Sequence, residues 1–136
     1  QSPLRAPTVF NFFEPGYAQP GILAAAGLVA PEFQITNEQS LVATTNILRR
    51  AAFRGVGSWE YPIVLDLSEV LPLAADDDQL LDWMDLMLLG GTMSAEMRDT
   101  LRSTLNLLEI GRADEEETVK SIIYLIATSS EFAVQK

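Results

Sequence analysis

The stretch that decides the fold is DDDQLLDWMDLMLLGG at residues 76–91, followed by SAEMRDTLRSTLNLLEIG at 94–111 and DEEETVKSIIYLIAT at 114–128. Each of the three opens on a residue that caps a helix through its side-chain oxygen: Asp76, Ser94 and Asp114. Gln79 and Glu117 stand three residues after Asp76 and Asp114, the spacing of a capping box. Apolar residues then recur at helical intervals. Leu80, Leu81, Trp83, Met84, Met87 and Leu88 form the first stripe, and Met97, Leu101, Leu105 and Leu108 the second. Val119, Ile122, Ile123 and Ile126 form the third. Gly90-Gly91 and Gly111 end the first two segments. Connections this short make consecutive helices antiparallel neighbours.

Working back toward the N-terminus, a longer helix is expected over Asn37–Phe53, capped by Thr36 with Gln39 at the box position. Leu41, Leu48 and Ala52 share one face, which Val42 and Ile47 widen. Arg49, Arg50 and Arg54 are assigned to its last turn, where cations favour the helix dipole, and Gly55 and Gly57 end it. Residues 58–67 contain Trp59, Tyr61 and β-branched residues broken by Pro62, which predicts an extended passage without a strand partner. Ser68 is placed to cap a brief helix over Val70–Ala75, with Pro72 in its first turn. Residues 1–35 hold Pro3, Pro7, Pro15, Pro20 and Pro31, which forbid a long helix. Phe10, Phe12, Phe13, Tyr17 and Phe33 are too much apolar surface for a solvated tail, so this is an arm packed against something. One helical turn is expected there, at Ile22–Ala26, stopped by Gly27. The fold class is therefore mainly α: an antiparallel bundle of four to five helices over residues 36–136, preceded by an irregular proline- and aromatic-rich arm over 1–35.

The 136 residues fit one domain and contain neither cysteine nor histidine. That removes disulfides, thiolate zinc sites, cysteine nucleophiles, Ser-His-Asp triads and imidazole ligands. The net charge of −10 is unevenly spread. Residues 1–60 balance 4 basic against 4 acidic residues, whereas 61–136 hold 5 against 15. So acidic a surface repels phosphate backbones and argues against nucleic-acid binding. No apolar run reaches the roughly 18 residues of a membrane span. The first residue is Gln1, not Met, which reads as a fragment or processed form of a longer chain.

Three clusters invite chemistry. The runs Asp76–Asp78 and Glu115–Glu117 could hold calcium or magnesium, but a calcium loop starting at Asp76 lacks its glycine at the sixth position and its glutamate at the twelfth. Both runs start helices, where carboxylates stabilise the dipole, and that reading is preferred. Asp78, Asp82 and Asp85 share a helix face and raise a paired-carboxylate hydrolase, against the simpler reading of a solvated face. Arg49, Arg50 and Arg54 could grip a carboxylate or phosphate, with Trp59 stacking nearby; the alternative is charge at a helix C-terminus plus a core tryptophan. Gly55-Val56-Gly57-Ser58 ends a helix and does not open one after a strand, so it is no phosphate loop. The arm residues Phe10, Asn11, Phe12, Phe13 and Tyr17 pack either on this domain or on a partner. No cofactor is assigned.

Several separated stretches resemble one bacterial family, catalogued as a domain of unknown function, number 1800. They are PLRAPTVFNFF at 3–13, LVAPEFQI at 28–35, LLGGTMS at 88–94 and SSEFAVQK at 129–136. The family's usual closing motif carries proline where Ser130 stands. The resemblance implies the C-terminal part of a longer, exported protein whose histidine-bearing motifs lie upstream, and it transfers no catalytic residue to this chain. Two functions are open at this point. One is a non-catalytic structural or interaction module, whose partner is the N-terminal region of the same protein or another protein. The other is an accessory domain lending acidic or arginine residues to a hydrolase-type or metal-dependent site shared with that region.

Overall fold

A computed structural model describes residues 14–35, 38–111 and 114–133. The class is mainly α, as expected, and the chain forms two units that divide after Thr44.

In the first unit, Tyr17 donates its amide to the Glu14 carbonyl (3.0 Å), and its own carbonyl accepts from Ala30 (2.8 Å). Helix α1, Ile22–Ala25, is the short turn expected before Gly27. Gly27 adopts φ +67°. The Gly27 and Leu28 amides reach back to the Ala24 and Leu23 carbonyls, at 3.1 and 3.0 Å. That pair of bonds is the left-handed helix stop that glycine makes inexpensive. A 3-10 turn follows at Pro31–Ile35. The expected aromatic cluster Phe10–Phe13, and the cap Thr36, lie outside the described residues.

Helix α2, Glu38–Arg54, begins in the first unit and ends in the second. Its expected apolar face is only partly covered. Ala52 is buried and Leu48 half-buried, but Leu41, Val42 and Ile47 are exposed. Amphipathic spacing shows that a face can be buried; it does not supply the cover.

The core of the second unit lies where α3 (Asp77–Met84), α4 (Ala95–Gly111) and α5 (Glu115–Ala127) meet. Leu80, Leu81, Met84, Val119, Ile122 and Ile126 have no solvent contact, and Val70, Leu101 and Leu105 almost none. The directions of these helices follow from cross-helix contacts. Arg98 pairs with Asp82 while Arg102 pairs with Asp78, so α4 ascends as α3 descends. Ser94, just before α4, is bonded to Glu131, beyond the end of α5, so those two helices are antiparallel as well. A last short helix, α6, spans Ser130–Ala133.

Three expectations need correction. First, α3 does not run regularly to Gly90: residues Asp85–Leu89 form a π-helical turn, closed by Gly90 at φ +63°. Its wider i→i+5 step moves the apolar stripe on by one residue. Leu89 is buried in consequence, Leu88 is only half-buried, and Met87 is 58% exposed instead of facing inward. Second, the passage after α2 is paired. Strand β1 (Val56–Gly57) meets β2 (Pro62–Ile63) antiparallel, with Val56 opposite Ile63 and Gly57 opposite Pro62. Pro62 is tolerated because a two-stranded ladder is all edge. Third, Ser68 caps nothing. The segment forms a 3-10 turn at Leu71–Leu73 without a side-chain cap, and Asp66 accepts the Ser68 amide at 3.0 Å.

These placements separate two substitutions that the sequence treats alike. Ile122→Ala should cost ~2–5 kcal/mol, lowering the Tm by roughly 10 °C. Met87→Ala should stay within about 0.5 kcal/mol. Thermal unfolding followed by circular dichroism measures both, and equal losses would refute the π-turn register.

Candidate functional site

The acidic residues have local work. Asp76 accepts the Asp78 and Gln79 amides at 3.0 and 3.1 Å, and the Gln79 side-chain amide bonds its second oxygen at 2.9 Å. The box is thus closed carboxylate to amide, while the Asp76 amide donates to the Leu73 carbonyl (3.0 Å). The Gln79 backbone amide, and then its side chain, hold the Asp76 carboxyl below its ordinary pKa of 3.8. Hydrogen bonds from Ser68, side chain before backbone, lower Asp66 likewise. Asp114 accepts the Glu117 amide at 2.6 Å, and Glu116 pairs with Lys120 one turn on.

The face Asp78, Asp82, Asp85 does not assemble a carboxylate pair in a cleft. Asp78 and Asp82 stay largely exposed and meet Arg102 and Arg98 of α4. Arg98 also lies 3.7 Å from Asp78. Asp85 turns to the loop, where Oδ1 accepts the Met93 amide at 2.9 Å. Among the described residues, no group of three or more acidic side chains is arranged to hold a metal ion, and no helix is long and apolar enough to cross a membrane.

The arginine cluster is brought together. Along α2, Asn46, Arg50 and Arg54 form one row and Arg49 and Phe53 a second beside it, at helical spacing. With Gly55 they line an open depression of about 430 Å³. The Arg49 guanidinium lies over the Phe53 ring, 5.5 Å from its centroid. Phe53 in turn meets Tyr124 of α5 edge-on, with centroids 6.4 Å apart and planes at 68°. Trp59 is not among the lining residues. It is fully exposed in the turn between β1 and β2, so the core-tryptophan reading fails. Tyr17 is half-buried in the first unit, and Phe10, Asn11, Phe12 and Phe13 lie outside the described residues.

With these features in place, the chain matches along residues 1–134 the family model described as protein of unknown function (DUF1800). The chain belongs to this family. No curated protein and no solved structure matches the chain.

Two stretches of this DUF1800 chain that carry the resemblance prove to be one device. Glu131, in the closing stretch, accepts the Ser94 amide at 2.9 Å and the Ser94 hydroxyl. Ser94 also caps α4 by accepting the Met97 amide at 3.1 Å. Sequence spacing identifies the cap but not its partner 37 residues away. Arg98 and Arg102 were missed for the same reason. Their separation of four residues, matching Asp78 and Asp82, was the available signal.

The lowered Asp76 carboxyl gives stability a definite pH dependence. Because its pKa is lower folded than unfolded, its contribution is complete above the ordinary value of 3.8 and fades as pH falls through the folded value. Asp76→Asn keeps an acceptor at the cap without that titration. Acid unfolding curves should therefore flatten below pH 3.8 in the variant, and superimposable curves would contradict the assignment.

Proposed function

We propose that this chain is a non-catalytic structural and interaction module, the C-terminal part of a larger exported DUF1800 protein, which docks on the region upstream of it. The observation that carries this reading is the run of apolar side chains on and beside the hairpin. Trp59, Tyr61, Ile63, Val64 and Leu65 are all exposed within seven positions, Trp59 completely so. Single exposed apolar residues are ordinary, whereas five within seven positions of one segment favour an interaction surface. The hairpin presenting it lies close against the end of α2. A Cβ on Gly55 would sit 2.5 Å from the Ile63 carbonyl oxygen, so backbone meets backbone where α2 runs into the hairpin. Aromatic side chains make efficient anchors, since they bury much surface and lose little side-chain freedom on docking.

The carboxylates support the same reading from the other side. Asp76 and Asp114 hold helix starts, Asp78, Asp82 and Glu116 meet cations, and Asp85 and Glu131 secure the loop before α4. The accessory-hydrolase reading keeps one favourable observation, the arginines in the depression on α2.

Trp59 separates the outcomes. The emission lost on Trp59→Ser, taken as a difference spectrum that cancels all other tryptophans, should lie to the blue in the full-length protein of where it lies in the isolated chain. Trp59→Ser should destabilise the full-length protein by ~2 kcal/mol or more, and the isolated chain by less than about 0.5 kcal/mol. Solvent-like emission in both, with no stability difference, would reject docking on the upstream region.

A further inference from the structure

The described cations divide into two groups. Arg98, Arg102 and Lys120 each pair with a carboxylate. Arg49, Arg50 and Arg54 form no ion pair with any described residue, in a chain of net charge −10. Compensation of the helix dipole does not account for all three. That effect fades within the last turn, and α2 ends at Arg54, so Arg49 and Arg50 stand a full turn or more inside.

We propose that the depression on α2 is a binding site for a dianionic oxyanion, of the phosphate or phosphomonoester class. Three guanidinium groups within six positions bring three charges and many N–H donors to one open face, with the Asn46 amide beside them. Guanidinium forks match the paired oxygens of a phosphate, and a dianion answers the charge better than a single carboxylate. The site is also partly ordered in advance. Arg49 is stacked on Phe53, which is fixed against Tyr124, so one guanidinium is already placed. Behind it, at φ +81°, Gly55 brings the end of α2 so close to the Ile63 carbonyl that a Cβ would not fit. The volume of about 430 Å³ exceeds a bare phosphate and leaves space for an organic group attached to it. This site is separate from the exposed hairpin residues and stands or falls independently of the docking reading.

Titration of the whole protein with inorganic phosphate, followed by calorimetry and by amide shifts of residues 46–55, tests the site. Succinate serves as the carboxylate probe and sodium chloride as the control of equal ionic strength. Saturable phosphate binding is expected, tighter than succinate and not reproduced by chloride. Arg50→Gln with Arg54→Gln should weaken it by roughly tenfold or more per arginine, with the unliganded Tm lowered only slightly, since both side chains are exposed and Arg54 alone lies in the last turn. The corresponding double lysine variant should bind with intermediate strength, since it keeps the charge and loses the fork. A chloride-like response would overturn the proposal, as would succinate binding as tightly as phosphate. Undiminished binding in the double glutamine variant would overturn it too.

Discussion

The second unit depends on a small number of apolar side chains that three helices must bury together. Leu80, Leu81 and Met84 come from α3, Leu101 and Leu105 from α4, and Val119, Ile122 and Ile126 from α5. None of the helices can cover its own stripe, and an isolated helix of eight to seventeen residues is marginal in water. Mutual burial therefore sets their order and spacing. Val70 enters the same core from the turn before α3, which ties the preceding loop to the bundle.

Electrostatics acts around that core without driving it. Each exposed ion pair between α3 and α4 contributes little by itself. The pairs still have a directional consequence, because Asp78–Arg102 and Asp82–Arg98 match only when the helices run oppositely. Carboxylates at Asp76 and Asp114 answer unpaired amides at helix starts. Glu131 answers one more at Ser94, from a distant part of the chain. An acidic composition that could have signalled metal or catalytic chemistry is largely taken up in building helix ends and seams.

What the sequence revealed and what it hid divide by range. The caps at Asp76, Ser94 and Asp114 were legible because donor and acceptor lie three residues apart. The stripes on α4 and α5 were legible because those helices are regular. The shift from Leu88 to Leu89 was not, since a single wide turn leaves the composition unchanged. The hairpin is hidden because proline signals a strand break, whereas Pro62 opposite Gly57 sits in a two-stranded ladder that is all edge. At the candidate sites, the grouping of Arg49, Arg50 and Arg54 was visible from helical spacing. The edge-on contact of Phe53 with Tyr124 and the exposure of Trp59 depend on tertiary placement that periodicity does not encode.

The wide turn at Asp85–Leu89 has a consequence for how this helix tolerates changes in chain length. A turn closed by i→i+5 bonds holds one residue more than its α-helical equivalent. Here that surplus lies after the deeply buried segment ending at Met84 and before the glycine pair that redirects the chain. Loss of one residue from it can be absorbed by tightening the turn, leaving the core upstream and the loop downstream in register. The helix carries its own slack, one residue deep, next to its least forgiving contacts.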